Sequence, residues 1–146
     1  MGEDVCINSG WVYNPIGGQE RTVLMTVAEG EMIIGNKVGI SNSTIIAREY
    51  VEIQDNVKIG GSCKIYDNDF HSLDYSNRQK KIDINIKSAP VVIKKGAFIG
   101  AHSIILKGVT IGEQSIIGAG SVVTKSVPAG EVWGGNPARY IRKTGK

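Results

Sequence analysis

The sequence predicts an all-β protein, a parallel β-helix whose coils are built from six-residue repeats. Three observations predict this fold: an unbroken six-residue period in the second half of the chain, a looser period in the first half, and a high glycine content. The 146 residues include 19 glycines, about twice the share of roughly 7% usual in proteins. Because only four prolines accompany them, the glycines indicate turns within ordered structure.

The period is clearest from Ile93 onward, where an aliphatic residue recurs every six positions and a small one follows four positions later. The aliphatic positions are Ile93, Ile99, Ile105, Ile111, Ile117 and Val123, and the small positions are Ala97, Ser103, Val109, Ser115, Ser121 and Val127. A period of six fits a short strand and a turn, not a helix or simple alternation. Three such units form a triangular coil, and coils stack at about 4.8 Å. We expect Ile93 over Ile111, Ile99 over Ile117 and Ile105 over Val123.

The first half carries the same period with one inserted residue. Its expected inward positions are Ile34, Ile40 and Ile46, then Ile53, Ile59 and Ile65, with small positions at Val38, Thr44, Tyr50, Val57 and Cys63. Cys63 is therefore interpreted as a packing residue.

The residues before each inward aliphatic are expected to point outward. In the second half they are Val92, Phe98, Ile104, Thr110, Ile116 and Val122, and in the first half Ile33, Gly39, Ile45, Glu52, Lys58 and Lys64. The apolar exterior of the second half predicts burial against another surface. We expect self-association through the C-terminal coils, with a covering helix or loop as the alternative.

Composition excludes several classes of function. The net charge of +3 is too small to indicate a nucleic-acid partner. No apolar run long enough to span a membrane occurs, and the N-terminus lacks the basic region of a signal peptide. Cys6 and Cys63 have no CxxC spacing and are interpreted as reduced thiols of a cytoplasmic protein.

The length favours one domain over residues 1–146. The repeat breaks at residues 67–90, a polar segment expected to form an extruded arm, and long loops in compact proteins are usually functional or disordered. Residues 14–18 predict a turn and residues 22–27 a strand. The C-terminal tail, residues 131–146, is expected to be turn-rich, with residues 138–143 forming a short basic helix or tail.

Motifs in the second half resemble those of the hexapeptide-repeat acyltransferases, particularly galactoside, maltose and nodulation O-acetyltransferases and sugar acetyltransferases of surface-polysaccharide clusters. The matching residues are Ile99-Gly100-Ala101, residues 106–112 (LKGVTIG), residues 117–125 (IGAGSVVTK) and Gly135-Asn136-Pro137-Ala138-Arg139. Resemblance is close over residues 91–142 and looser over 33–72.

This resemblance implies a left-handed helix, an exception to the usual right-handed crossover, and a homotrimer with active sites between neighbouring prisms. It implies acetyl-CoA as acyl donor, a sugar hydroxyl as acceptor, and no required metal. His71, where the repeat breaks into the arm, matches the position of the family's catalytic histidine. The residues implied for the acetyl-CoA groove are Ala101, Ala119, Thr124 and Lys125, with Arg142 (or Arg139) at the phosphates.

Acyl transfer to a hydroxyl needs a base, and the imidazole of histidine suits that role near neutral pH. Of the two histidines, His71 is the expected base, whereas His102 lies at a turn position. An orienting partner for the base is expected to be Asp69, Asp67 or a backbone carbonyl. Asn42 and Asp69 are candidate acceptor contacts. Arg48 stands where the galactoside enzymes would offer an acid, so the acceptor of those enzymes is not carried over.

Several alternatives remain open at this point. An amino sugar or a streptogramin- or chloramphenicol-type drug would also need a base, so N-acetyl transfer is one alternative. A non-catalytic β-helix binding module is another. A γ-type carbonic anhydrase would need about three imidazoles per zinc, and the chain has two histidines in all. No phosphate-binding loop or dinucleotide motif occurs.

Overall fold

Short parallel strands separated by tight turns wind the chain into a three-sided prism in the computed structural model, which describes residues 1–145. The first half contains β1 (Cys6–Asn8), β2 (Val23–Thr26), β3 (Glu31–Ile34), β4 (Gly39–Ser41), β5 (Thr44–Ala47), β6 (Tyr50–Ile53), β7 (Lys58–Ile59) and β8 (Lys64–Tyr66). The second half contains α1 (Tyr75–Arg78), β9 (Val91–Ile93), β10 (Phe98–Ile99), β11 (Ile104–Ile105), β12 (Thr110–Ile111), β13 (Ile116–Ile117), β14 (Val122–Val123), β15 (Glu131–Gly135) and β16 (Ala138–Lys143).

Each face of the prism is one sheet. Sheet A has the order β1-β4-β7-β10-β13-β15-β16, sheet B the order β14-β11-β8-β5-β2, and sheet C the order β12-β9-β6-β3. Two corners matter for the site. Corner AB contains the turns between sheets A and B, at residues 42, 60–62, 100–102 and 118–120. Corner BC contains the turns between sheets B and C, at residues 106–108 and 124–126, and the arm, residues 67–90.

The expected ladders of the second half are confirmed. Ile93 pairs with Ile111, Ile99 with Ile117 and Ile105 with Val123 in parallel register. All six side chains are fully buried, whereas the residue before each is more exposed. Stacking aliphatic side chains in register gives the prism one continuous apolar core.

Small residues occupy the narrow corners of the core, as expected. Ser103 and Ser121 are fully buried, and both hydroxyls donate to the Gly118 carbonyl, over 3.1 and 2.5 Å. These bonds satisfy polar groups that burial would otherwise penalise. Cys63 is likewise buried, and burial raises the pKa of its thiol, which keeps the thiol in its unreactive form.

The predicted phase of the first half is wrong over residues 44–50, where the expected inward positions Thr44, Ile46 and Tyr50 are only partly buried. Ile45, not Ile46, is the fully buried residue, and it pairs with Ile65 in sheet B. The reason is that the corner-AB turn between Ile40 and Ile45 is one residue shorter than the turn between Ile59 and Ile65. Asn42 makes this tight turn in the left-handed conformation, with φ of 42°.

The C-terminal tail forms a hairpin, and residues 138–143, expected to be a short basic helix or tail, form a strand and not a helix. Strand β15 extends sheet A by pairing with β13, and β16 returns antiparallel to β15. The open edge of β15 offers backbone groups to the next segment, which outweighs the helix-compatible charge pattern. Glu131 ties the two strands by accepting from Lys143 Nζ over 2.7 Å and Trp133 Nε1 over 2.8 Å.

At the other end, the strand expected over residues 22–27 is present as β2, and the turn expected over residues 14–18 contains a 3₁₀ turn, Pro15–Gly17. Within residues 1–145, no helix has the length and apolar character needed to cross a membrane.

Candidate active site

The arm, residues 67–90, leaves corner BC through a short antiparallel stem. The Ala89 N–H donates to the Asp67 carbonyl over 2.8 Å, and the Asp69 N–H donates to the Lys87 carbonyl over 3.0 Å. Below the stem, the buried Asp67 carboxylate accepts three backbone N–H groups, from residues 48, 49 and 50, over 2.7–2.8 Å. Asp67 is therefore a structural anchor that fastens the arm to the preceding coil.

A γ-turn after the stem presents His71. The His71 N–H donates to the Asp69 carbonyl over 2.6 Å, and Phe70 between them has φ of 61°. Left-handed backbone is strained for a bulky residue. The Asn68 side chain supports the turn by accepting from the Phe70 N–H over 2.8 Å, and the Phe70 ring packs edge-on against Tyr66 at 5.0 Å. Backbone strain of this kind concentrates at functional sites.

The carboxylate that orients His71 is Asp83, from the returning half of the arm. Its Oδ2 lies 2.9 Å from His71 Nδ1. Because a carboxylate only accepts, Nδ1 carries the proton in this bond, and Nε2 is the basic nitrogen. The imidazole is 75% exposed, whereas the Asp83 side chain is only 19% exposed. Sequence reasoning missed Asp83 because nothing in the spacing shows that the arm folds back on itself.

Ser72 holds the two halves of the arm together. Its N–H donates to both Asp83 oxygens over 3.2 Å, and its carbonyl accepts from Arg78 Nη1 over 2.6 Å. Asp74 caps α1 by accepting from the Ser76 side chain and N–H, and these bonds lower the pKa of Asp74. Asp83 is therefore held by the Ser72 N–H and by the His71 ring.

Asp69 was expected to be a partner of the base, and its carboxylate instead faces the neighbouring coil. Its Oδ1 pairs with Lys107 Nζ at 2.7 Å, while its buried Oδ2 has no partner among the described residues. Both side chains line a cavity of about 300 Å³ at corner BC, together with Phe70 and Thr124. The cavity therefore combines an unsatisfied carboxylate oxygen with a residue that the sequence motifs assign to the acetyl-CoA groove.

The remaining groove residues fall at two separate corners. Thr124 and Lys125 are exposed at corner BC, on the same corner as His71. Ala101 and Ala119 lie at corner AB, one coil apart, where the Gly120 N–H donates to the Ala101 carbonyl over 2.8 Å. No side chain at Gly100 would fit there, because its Cβ would meet Ala119 N at 2.6 Å. One chain therefore carries the two halves of the expected site on opposite edges of sheet B.

The two exposed arginines named for the phosphates both lie on β16. Arg142 donates to the Lys143 carbonyl and Arg139 to the Ala138 carbonyl, each over 3.0 Å. Neither forms an ion pair with a carboxylate in the described structure, so both guanidinium groups have donors available for an anion.

Asn42, the candidate acceptor contact, makes buried hydrogen bonds to the N-terminal loop. Its side chain is fully buried, accepting from the Gly10 N–H over 2.9 Å and donating to the Asn14 carbonyl over 2.9 Å. Gly17 packs so closely that a Cβ there would lie 2.4 Å from Asn42 Cβ. The amide therefore anchors the N-terminal loop, and contact with an acceptor would require those bonds to break.

His102 lines a second cavity, of about 520 Å³, at corner AB. The same cavity contains an ion pair between Glu20 and Lys64, and the hydrogen bond from Lys64 lowers the pKa of Glu20. His102 has φ of 61° and no side-chain hydrogen bond within the described residues. Across residues 1–145, no group of three or more His, Cys, Asp or Glu side chains is arranged to hold a metal.

Comparison with known proteins places the chain in a family. The bacterial transferase hexapeptide (six repeats) model matches residues 90–125. A hexapeptide-repeat-containing acetyltransferase from Vibrio cholerae is 31% identical, with a TM-score of 0.81 over 100% of this chain and 74% of its own. Its complex with acetyl coenzyme A gives a TM-score of 0.78. Galactoside acetyltransferase in complex with coenzyme A is 30% identical, with a TM-score of 0.75, over 98% of this chain and 66% of its own.

A Schizosaccharomyces pombe protein named "Putative acetyltransferase" is 38% identical over 102 residues, which is 70% of this chain and 47% of the relative. The match thus spans about half the length of that curated relative. These likenesses and the repeat show that the chain belongs to the hexapeptide-repeat transferase family, with the left-handed parallel β-helix of its solved members.

Proposed function

We propose that this protein is an acetyl-CoA-dependent O-acetyltransferase that acylates a hydroxyl of a sugar or sugar-containing acceptor, with His71 as the general base. The observation that carries the proposal is the 2.9 Å contact between His71 Nδ1 and Asp83 Oδ2 on an exposed, internally braced arm. Membership of the family supports acyl transfer, and the acetyl-CoA and coenzyme A complexes of the similar proteins support the donor.

The proposed reaction moves one proton twice. Nε2 of His71 removes the proton of the acceptor hydroxyl as the oxygen attacks the carbonyl carbon of the thioester. The tetrahedral intermediate then collapses, the carbon–sulfur bond breaks, and the imidazolium returns the proton to the departing thiolate. Asp83 stabilises the imidazolium and holds the ring in the tautomer that leaves Nε2 basic. The products are the acetyl ester and coenzyme A, and the enzyme is unchanged.

The donor groove in this proposal is completed by a second subunit. His71, Thr124 and Lys125 come from corner BC of one prism, and Ala101 and Ala119 from corner AB of the next. Small residues at corner AB leave room for the pantetheine arm, and Arg142 or Arg139 meets the phosphates as a cation. The apolar outward residues Phe98, Ile104 and Ile116 give the proposed homotrimer its contact surface.

The acceptor is proposed to enter beside the γ-turn. Asp69 Oδ2 is an unsatisfied acceptor at the 300 Å³ cavity, and sugar hydroxyls are the donors that such an oxygen would bind. A buried acceptor of this kind discriminates strongly between ligands with and without a matching hydroxyl.

The test is a thiol-release assay with acetyl-CoA and a panel of sugars, nucleotide-sugars, amino sugars and chloramphenicol- or streptogramin-type drugs. Mass spectrometry and alkaline hydrolysis of the product distinguish an ester from an amide. We expect a hydroxyl-bearing sugar to give the highest kcat/KM and a base-labile ester. An amide product, or turnover of the drugs alone, would overturn the proposed acceptor. If no acceptor in the panel led to thiol release, that result would count against sugar acetylation.

A further inference from the structure

Lys107 lies at the foot of the arm but belongs to the next coil. It sits in the corner-BC turn after β11, and the N–H of its neighbour Gly108 donates to the Ala89 carbonyl of the returning stem over 3.0 Å. Lys107 Nζ reaches across to Asp69 Oδ1 at 2.7 Å, and the side chains are 31% and 17% exposed. This ion pair, called here the Asp69–Lys107 clamp, therefore joins the regular helix to the first residues of the arm.

The clamp holds Asp69, the residue that is bonded through its backbone to His71. The Asp69 carbonyl is the acceptor of the 2.6 Å bond from the His71 N–H, so movement of Asp69 moves the His71 backbone directly. Between them Phe70 holds φ of 61°, a strained conformation that persists only where neighbouring contacts enforce it. Of the described contacts to this turn, only the clamp comes from the side chain of another coil.

We propose that Lys107 is a positioning residue for His71, acting through Asp69. The inference rests on the proposed role of His71 as base. Lys107 holds the Asp69 carboxylate, Asp69 fixes the γ-turn, and the γ-turn directs the imidazole toward Asp83 and the acceptor. Burial distinguishes this role from that of a surface ion pair, because both side chains are mostly buried. The main-chain carbonyl of Asp69 is also the acceptor for the His71 N–H.

The test compares Lys107→Met and Lys107→Arg with wild type under steady-state conditions. Misplacing a catalytic group by about 1 Å costs up to about 100-fold, so Lys107→Met should lower kcat by roughly 10- to 100-fold. The KM for acetyl-CoA should stay within about two-fold, since Lys107 is not among the residues proposed to contact the donor. Lys107→Arg keeps the charge and reach and should recover kcat to within about three-fold of wild type.

A double-mutant cycle tests the route through Asp69. If Lys107 acts through that carboxylate, Lys107→Met should lower kcat by less than about two-fold in an Asp69→Asn background. Lys95→Met removes an exposed lysine at another corner and is the matched control, with kcat unchanged. The melting temperature of each variant is measured, and Lys107→Gln, which also lacks the charge, replaces Lys107→Met if that variant does not fold.

Three results would overturn the positioning role. The first is an increase in the KM for acetyl-CoA at unchanged kcat, which would mean that Lys107 binds the donor. The second is independent, multiplicative losses of kcat in the Asp69→Asn cycle. The third is a kcat that Lys107→Met leaves unchanged. Loss of activity in His71→Ala together with normal kcat in Lys107→Met would refute this inference alone. Full activity in His71→Ala would instead refute the proposed function.

Discussion

His71 and Asp83, twelve residues apart on the arm, meet through Nδ1 and Oδ2 at 2.9 Å. The contact is exposed on the histidine side and adds little to stability. It does fix the tautomer and direction of the ring, because Asp83 is itself held by the Ser72 N–H. The pair therefore positions the imidazole of His71, and it forms because the arm folds back on itself.

Replacing Asp83 tests that pair. Asp83→Asn removes the carboxylate but keeps the size of the side chain, so the arm should stay folded while the tautomer and the imidazolium lose their stabilisation. We expect kcat to fall by at least about 10-fold, with the larger losses known for triad carboxylates as an upper bound. Steady-state kinetics measures the fall in kcat, and Glu113→Gln is the control for the loss of an exposed carboxylate. Wild-type kcat in Asp83→Asn would show that Asp83 does not assist the base.

Mixing subunits tests whether the site lies between prisms. Ala119→Trp should block corner AB, and His71→Ala should disable corner BC, so each protein alone should be inactive. Random mixed trimers should recover about a quarter of wild-type activity, because one site in four combines two intact corners. The control mixes His71→Ala with Asp83→Asn, which damage the same corner and should not complement beyond the residual rate of Asp83→Asn. No recovery in the first mixture would place the whole site within one chain.

The anchor role of Asn42 predicts a loss of stability. Asn42→Gly keeps the left-handed backbone but removes the buried amide, leaving the Gly10 N–H and Asn14 carbonyl unpaired. The free energy of unfolding should fall by about 1–3 kcal/mol. Asn56→Gly is the matched control, since Asn56 has φ of 60° and no side-chain hydrogen bond in the described structure, and should change stability by less than about 0.5 kcal/mol. Denaturant titration measures the free energy of unfolding of both variants. Equal losses in the two variants would contradict the anchor role of Asn42.

The C-terminal hairpin should loosen in acid. Hydrogen bonds from Lys143 and Trp133 hold the pKa of Glu131 below its ordinary value of 4.5. A lowered pKa in the folded state means that the carboxylate stabilises the hairpin above pH 4.5, and that this contribution is lost as pH falls through the folded pKa. Trp133 fluorescence in a Trp11→Phe background should report the change, and Glu131→Gln should remove it. A signal that is flat below pH 4.5 in the parent would refute the coupling.

The six-residue period predicted most of the fold because each repeat contains an aliphatic residue that must point into the core. Ile93, Ile99 and Ile105 had to stack on residues one coil later, and they do. The prediction that Ile46 and not Ile45 points inward was wrong for a local reason, because one shortened turn shifts the phase of the repeat. The sequence around Asn42 does not distinguish a shortened turn there from an insertion further along the chain. Residues 138–143 formed a strand because of the neighbouring edge of β15, which is a tertiary effect.

The site was less predictable than the fold. His71 could be selected because it stands where the repeat breaks. Asp83 could not, because its meeting with His71 depends on how Ser72, Asp74 and Arg78 fold the arm. Asp69 was singled out for a carboxylate contact to the base, and the structure gives it a backbone contact to His71 and an ion pair with Lys107 instead. Loop geometry of this kind arises from side-chain hydrogen bonds that no periodic pattern encodes.

The most direct test of the account is kcat for His71→Ala with saturating acetyl-CoA and the best acceptor, measured beside a melting curve that verifies folding. Because general-base catalysis contributes about 10²- to 10⁴-fold, the account predicts a fall in kcat of that size with an unchanged melting temperature. A folded His71→Ala protein that transfers acetyl groups as fast as wild type would contradict it.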